Sequence, residues 1–268
     1  MLTRQAKILS CINPYINKGA EIGALDRPIV TNDVGFIKYI DYTTTEELKS
    51  IYENRNTAAM VEVDYVWGDS SLDQLLDDDM PLDYIIASHV VEHVPDLIGW
   101  LKEVHKVLEP GGFLSLALPA KTQCFDYYRN YTVTSDVIDA YIRGARKPSP
   151  KAIFDHRSLA VRKNGKPSWA GQANEFEFKK MYSLASALET AKEAYDNDLY
   201  QDAHCWTFSL ESLANLFKDL IEMELFPFKV AAFYPIQHSE FFITLQSINL
   251  EDNPKIKLEQ FASLKLIK

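Results

Sequence analysis

A chain of 268 residues, 47% hydrophobic and 25% charged, is long enough for one α/β domain with an insertion or one domain plus a small lid, and its composition is ordinary for a soluble globular protein. Its net charge of −10 opposes attraction to phosphate backbones, so no nucleic acid partner is expected. No apolar run approaches the roughly 20 residues that cross a bilayer, the first residues (MLTRQAKILSCINPYIN) lack the apolar stretch of a signal peptide, and Cys11, Cys124 and Cys205 form no CxxC pair; a cytoplasmic setting without disulfides is expected.

Taken in order, the chain opens on an amphipathic helix whose apolar side is Ala6, Ile8, Leu9, Ile12 and Ile16. Residues 18–23 (KGAEIG) and 36–41 (FIKYID) read as short strands, the first ending on a glycine and the second on an acid. Residues 60–67 (MVEVDYVW) alternate apolar and polar as a half-buried strand does, and 82–88 (LDYIIAS) reads as a buried one. Residues 95–108 carry helical spacing behind a first-turn proline, EPGG at 109–112 stops that helix, and 113–118 (FLSLAL) follows as a strand. This alternation predicts right-handed βαβ units around a mostly parallel sheet.

The rhythm breaks after Pro119. Residues 120–203 show few strands and one long helical pattern over 174–197. It returns with an amphipathic helix at 209–221 and closing strands at 227–234 and 240–246, and the tail 251–268 reads as a helix. The predicted fold is a Rossmann-like, seven-stranded, mostly parallel sheet with helices on both faces. Its core spans residues 1–119 and 204–250, and 120–203 form a helical and loop insertion between strands five and six, a lid for an acceptor.

In an open parallel sheet, ligands bind outside the carboxyl ends of the strands. Three loops carry suitable residues there. Glu21 and Gly23 follow the first strand, where glycine lets the backbone turn and approach a ligand. Asp41 ends the second strand, where a carboxylate can accept both ribose hydroxyls. Asp69, followed by Ser70, ends the third, where a carboxylate can accept an adenine amine.

Glu21-Ile-Gly23, Asp41, Gly68-Asp69, the run from Asp83 through Ser88, His89 and His93 to Asp96, and Val107-Leu-Glu-Pro-Gly-Gly112 together resemble the successive motifs of class I S-adenosylmethionine-dependent methyltransferases. The nearest flavour has an "SHVLEHVPD"-like fourth-strand end followed by "VLKPGG". The resemblance covers 18–120 and, more weakly, 204–247. It implies S-adenosyl-L-methionine as cofactor, with Glu21 and Gly23 at the methionine moiety, Asp41 at the ribose, Asp69 at the adenine, and Ser88 and His89 lining the other side. The chain departs at Leu25, where the family usually has a second glycine. GxGxxG is absent, which disfavours a nicotinamide-dependent dehydrogenase.

Methyl transfer to a hydroxyl needs alignment and a base, and histidine is the usual one. His89, Asp126, His156 and His204 are the candidate catalytic residues. Residues 119–132 resemble the "PDKRxxFDxxRxxT" segment of methyltransferases that accompany bacterial polysaccharide glycosyltransferases: Lys121, Phe125, Asp126, Arg129 and Thr132 match, whereas Ala120 and Thr122 depart. That resemblance implies a sugar or glycan-linked acceptor and glycosyltransferases as associates. No metal is predicted, although Asp126, Asp155, His156 and His204 are residue types that hold a divalent ion. Eight Lys or Arg against Asp155 alone over 143–166 suit an anionic acceptor or a solvated loop. A small lipid-like or aromatic acceptor, and a degenerate binding module of the same fold, remain alternatives.

Overall fold

The computed structural model describes residues 2–68, 70–169, 178–249 and 254–267. Its centre is a seven-stranded sheet. The strands are β1 (Gly19–Ile22), β2 (Ile37–Asp41), β3 (Tyr65–Val66), β4 (Leu82–Ser88) and β5 (Leu108–Pro119), then, beyond three short strands of the insertion, β9 (Phe228–Gln237) and β10 (Glu240–Ser247). The order across the sheet is β3-β2-β1-β4-β5-β10-β9. The first five pair in parallel, and β10 runs antiparallel to both β5 and β9. The order reverses between β1 and β4, so the carboxyl ends of β1, β2 and β4 border one crevice.

Alternation along β4 builds both faces. Leu82, Ile85 and Ala87 enter the larger core, and Tyr84 and Ile86 enter the smaller one. Gly19 pairs with Tyr84, whose ring lies 2.2 Å from where a Cβ on Gly19 would stand, so the first strand must open on glycine. The larger core is completed by α4 (Leu97–Val107), which buries Leu97, Ile98, Trp100, Leu101, Val104 and Val107. Asp96 caps it by accepting the Gly99 N–H at 2.9 Å. The smaller core is covered by Ile8 of α1 (Arg4–Ile8), Ile12 and the loop residues Ala24, Ile29 and Val30.

Several expectations need correction. The N-terminal helix closes at Ile8, and Asn13 and Pro14 carry the chain into a turn instead. The alternating run 60–67 pairs only at Tyr65–Val66, because it lies at the sheet edge beside the short β2. EPGG lies within β5, and the helix before it ends at Val107. The helix predicted over 174–197 is α7 (Leu184–Asp196), N-capped by Ser183, with the short strand β8 (Lys179–Lys180) before it. Residues 174–177 of that reading, and 250–253 and 268 at the tail, lie outside the described residues. The tail forms α9 (Pro254–Leu264), whose Gln260 donates to the carbonyls of Phe226 and Phe228.

The insertion leaves β5 and returns at its base, where Ala120 bridges Phe208 and the Lys121 N–H donates to the Phe208 carbonyl at 3.0 Å. Its first helix, α5 (Thr134–Ile142), joins the main core through Val137 and Ala140. The next, α6 (Pro150–Leu159), packs with α7 around Ile153, Ala191, Ala194 and Ala203. Strands β6 (Val161–Lys163) and β7 (Lys166–Pro167) form a small antiparallel sheet with β8. The chain then re-enters the core through α8 (Leu210–Glu222). The remaining helices, α2 (Thr45–Ile51) and α3 (Leu72–Leu75), follow β2 and β3.

Candidate cofactor and acceptor site

Glu21, next to last in β1, is buried, and its carboxylate is engaged by the chain itself. It accepts the N–H groups of Ile29 (3.0 and 2.8 Å) and Val30 (3.3 Å), which folds the 24–30 loop back over the strand. Burial pushes its pKa up to about 7 against the pull of these hydrogen bonds. Its carboxylate therefore sets the shape of the loop. Gly23 stands at φ +72, and a Cβ there would lie 2.9 Å from Val90 Cγ2. Leu25 adopts φ +49, so the loop keeps a left-handed turn at the position where glycine was expected. A Gly23→Ala variant is expected to lose about 1–2 kcal/mol of stability in urea unfolding; an unchanged midpoint would mean that the turn is not confined to glycine.

Asp41 closes β2. It is buried, accepts among the described residues only the Tyr42 N–H (2.8 Å), and is pushed up to about 6 by burial. Asp69 lies outside the described residues, and Ser70 is exposed in the bend before α3. At the end of β4, Ser88 Oγ accepts from Arg4 at 2.6 Å, and Arg4 also grips Glu240 at 2.8 Å. His89, at φ +56, holds Glu240 through Nε2 (3.0 Å) and faces Glu92 through Nδ1 (3.4 Å). Burial lowers its pKa, but the two carboxylates outweigh burial and raise it to about 9, so His89 carries its charge at neutral pH. The Arg4–Glu240 contact joins residues 236 apart in sequence, and no local pattern announces it.

The insertion brings the other candidates together. His204 Nδ1 meets Asp126 Oδ2 at 2.5 Å, and the His204 N–H donates to His156 Nδ1 at 3.1 Å. Asp126, His156 and His204 thus form one buried group. Asp126 also pairs with Arg129 at 3.1 Å, and Arg129 donates to the His204 carbonyl at 2.8 Å. Thr132 Oγ1 accepts the Thr207 N–H at 2.9 Å. The F-D-x-x-R-x-x-T pattern is therefore a clasp that ties the returning segment 200–207 over the sheet. Burial drives the His156 pKa down to about 3, and its neighbours His204 and Arg129 push in the same direction.

Three residues that sequence reasoning set aside or missed join this cluster. Glu92 and His93 lie in the Val91–His93 turn after β4, and His93 Nδ1 meets Asp202 at 2.7 Å. The His93 and His204 rings meet edge to face at 4.6 Å. The adjacent acid and histidine in VVEHVPD were the available signal. Asp155 is not in the cluster and pairs with Lys151 at 2.9 Å. The first half of the basic stretch is matched by acids of the chain: Arg143 by Asp139, Arg146 by Glu103, Lys147 by Asp198 and Lys151 by Asp155.

A parallel sheet whose order reverses beside a left-handed glycine turn, with a buried carboxylate at the next strand end, is an arrangement suited to holding a cofactor. Gly23 supplies the close backbone, and Asp41 supplies an acceptor with one hydrogen bond from the chain, so these residues fit S-adenosylmethionine. A methyltransferase-domain family profile matches residues 27–220. The chain belongs to that family: it is an α/β methyltransferase, an enzyme whose cofactor is S-adenosylmethionine. No curated protein matches it. Among solved structures, a SAM-dependent methyltransferase from Aquifex aeolicus is 12% identical, with 92% of this chain and 91% of that one covered at a TM-score of 0.43. One from Methanosarcina mazei is 13% identical, with 87% and 93% covered at 0.40. The CurJ carbon methyltransferase is 14% identical at 0.40; the match covers 90% of this chain and spans 51% of the CurJ chain. Among the described residues no helix is long and apolar enough to cross a membrane.

Proposed function

We propose that the protein O-methylates a sugar or glycan-linked hydroxyl, with the acceptor bound under the insertion. The observation that carries this reading is the wall of rings beside His89. Trp169 is 42% exposed, its ring lies 5.7 Å from His89 and 5.0 Å from Phe125, and Phe125 in turn packs on His156 and His204. An exposed indole backed by Phe125 and beside the His89 imidazole suits a ring with an apolar face and a hydroxyl edge. Glycosyltransferases as associates and a cytoplasmic setting belong to the same reading. The matched charges of 143–155 favour a neutral acceptor over an anionic one.

On this reading the Gly23 turn, Asp41, Asp69, Ser70, Ser88 and His89 hold the cofactor, which supplies a methyl group on a positively charged sulfur. The residues under the insertion would align the acceptor hydroxyl with that methyl group and take the proton that the hydroxyl gives up. His89, already protonated, serves to orient and to carry charge. The Asp126–His204 and Asp202–His93 pairs supply histidines oriented through Nδ1, the arrangement that leaves Nε2 for a proton.

The test is release of S-adenosylhomocysteine with a panel of oligosaccharide, nucleotide-sugar, catechol and fatty-acyl acceptors. Turnover is expected with a saccharide. Trp169→Ala is expected to lower kcat/KM for that acceptor about tenfold, the size of a lost stacking contact, without changing cofactor affinity. Turnover confined to catechols or acyl acceptors would overturn the reading.

A further inference from the structure

We propose that Glu92, His93 and His204 bind a divalent transition-metal ion, with zinc preferred over magnesium. One donor atom from each residue lies within 4.8 Å of the other two. Glu92 is 1% exposed, and among the described residues neither carboxylate oxygen has a hydrogen-bond donor. Its nearest cation, His89 Nδ1, stands 3.4 Å from Oε1 and leaves Oε2 unanswered. A buried carboxylate in that condition is costly without a compensating charge.

The two histidines are held as metal-binding histidines are. Asp202 engages His93 Nδ1 and Asp126 engages His204 Nδ1, so each ring is fixed by a carboxylate and Nε2 is the nitrogen left over. Two imidazoles and one carboxylate form a donor set for zinc and its neighbours, whereas magnesium prefers an all-oxygen shell. Three protein ligands leave a coordination position open.

A second group, Asp126, His156 and His204, shares His204. It is the weaker candidate, because Asp126 is already answered by the Arg129 guanidinium and by His204, and His156 Nδ1 already accepts a backbone N–H. With the ion bound at the Glu92 site, the Nε2 atoms of His93 and His204 are ligands in place of bases, and the open position suits the oxygen of a hydroxyl acceptor, whose proton an ion makes easier to lose. That role rests on the O-methylation reading, whereas the binding site does not.

The experiment uses the full chain, stripped with a chelator and titrated by calorimetry with zinc chloride and separately with magnesium chloride, without acceptor. One equivalent of zinc is expected to bind and raise Tm, and magnesium is expected to do neither. Glu92→Gln, which keeps the side-chain shape, and His93→Ala at the half-exposed position are each expected to weaken zinc binding by about 100-fold or more, with the circular dichroism of wild type. His156→Ala is expected to bind zinc within about threefold of wild type, since it removes no ligand. Cobalt(II) in place of zinc should give the visible absorption of a nitrogen-ligated ion. Absence of zinc binding, wild-type affinity in Glu92→Gln and His93→Ala, or loss confined to His156→Ala would overturn the site. A failure to methylate saccharides bears only on the function proposed above.

Discussion

Asp126→Ala is expected to lower stability by about 3–5 kcal/mol, the usual cost of removing one partner from a buried ion pair. Asp126 is 1% exposed and Arg129 6%, so the guanidinium stays buried with its carboxylate gone. The remaining acceptors of Arg129, the carbonyls of His204 and Cys205 at 2.8 and 3.4 Å, carry no full charge. His204 loses the acceptor on its Nδ1 at the same time. The damage therefore concentrates where the insertion returns to the core. Thermal unfolding should show Tm lower by roughly 10 °C, and limited proteolysis should cut within 199–207 in the variant before the wild type. Asp126→Asn keeps the shape and one acceptor oxygen and should lose distinctly less. A loss below about 1 kcal/mol in Asp126→Ala would show that the clasp is not held by this pair.

Asp41→Asn is expected to act in opposite directions on stability and binding. The Asp41 carboxyl titrates near 6 in the folded chain and near 3.9 when unfolded. Between those values the folded state holds a proton that the unfolded state has released, so stability falls as pH rises from about 4 to about 6 and the full cost persists above that. Asparagine keeps the acceptor for the Tyr42 N–H and has no such cost. At pH 7 the variant should be more stable by about 2–3 kcal/mol, with the gain vanishing near pH 4.

If Asp41 accepts the ribose hydroxyls, losing the charge should weaken S-adenosylmethionine by about 10- to 100-fold, the range for hydrogen bonds to a charged group. Wild-type affinity should also decline as pH drops below about 6, and variant affinity should not. Calorimetry at pH 5 and pH 8 on both proteins reads all of this. Equal affinity of the two at pH 8 would remove Asp41 from the cofactor site.

The fold was legible because its signals are local. The run from Asp83 to Gly112 carries a buried strand, a capped helix and the next strand in consecutive residues, and each depends on near neighbours. Edges were less legible. The run at 60–67 has the alternation of a strand, yet pairing is decided by what lies beside it, and β2 offers partners only at Ile40 and Asp41. Leu25 showed the same limit. Sequence registered a missing glycine, whereas the loop keeps the left-handed turn because Glu21 binds its far end and the Leu25 carbonyl takes the Val61 N–H at 3.0 Å.

By itself the sequence determined the fold class and most of the order of strands and helices, and it named strand-end acids as candidates for a cofactor site. These follow from periodicity and from residue chemistry at fixed spacing. Tertiary structure alone decided which side chains share a site. Asp126 and His204, 78 positions apart, and His93 and Asp202, 109 positions apart, are brought to hydrogen-bond distance by the closure of the insertion on its own base. Likewise only the folded chain leaves Glu92 buried without a hydrogen-bonded partner while Glu21 is fully engaged. Two acids of similar appearance in sequence differ because burial and the geometry of nearby donors are properties of the assembled chain.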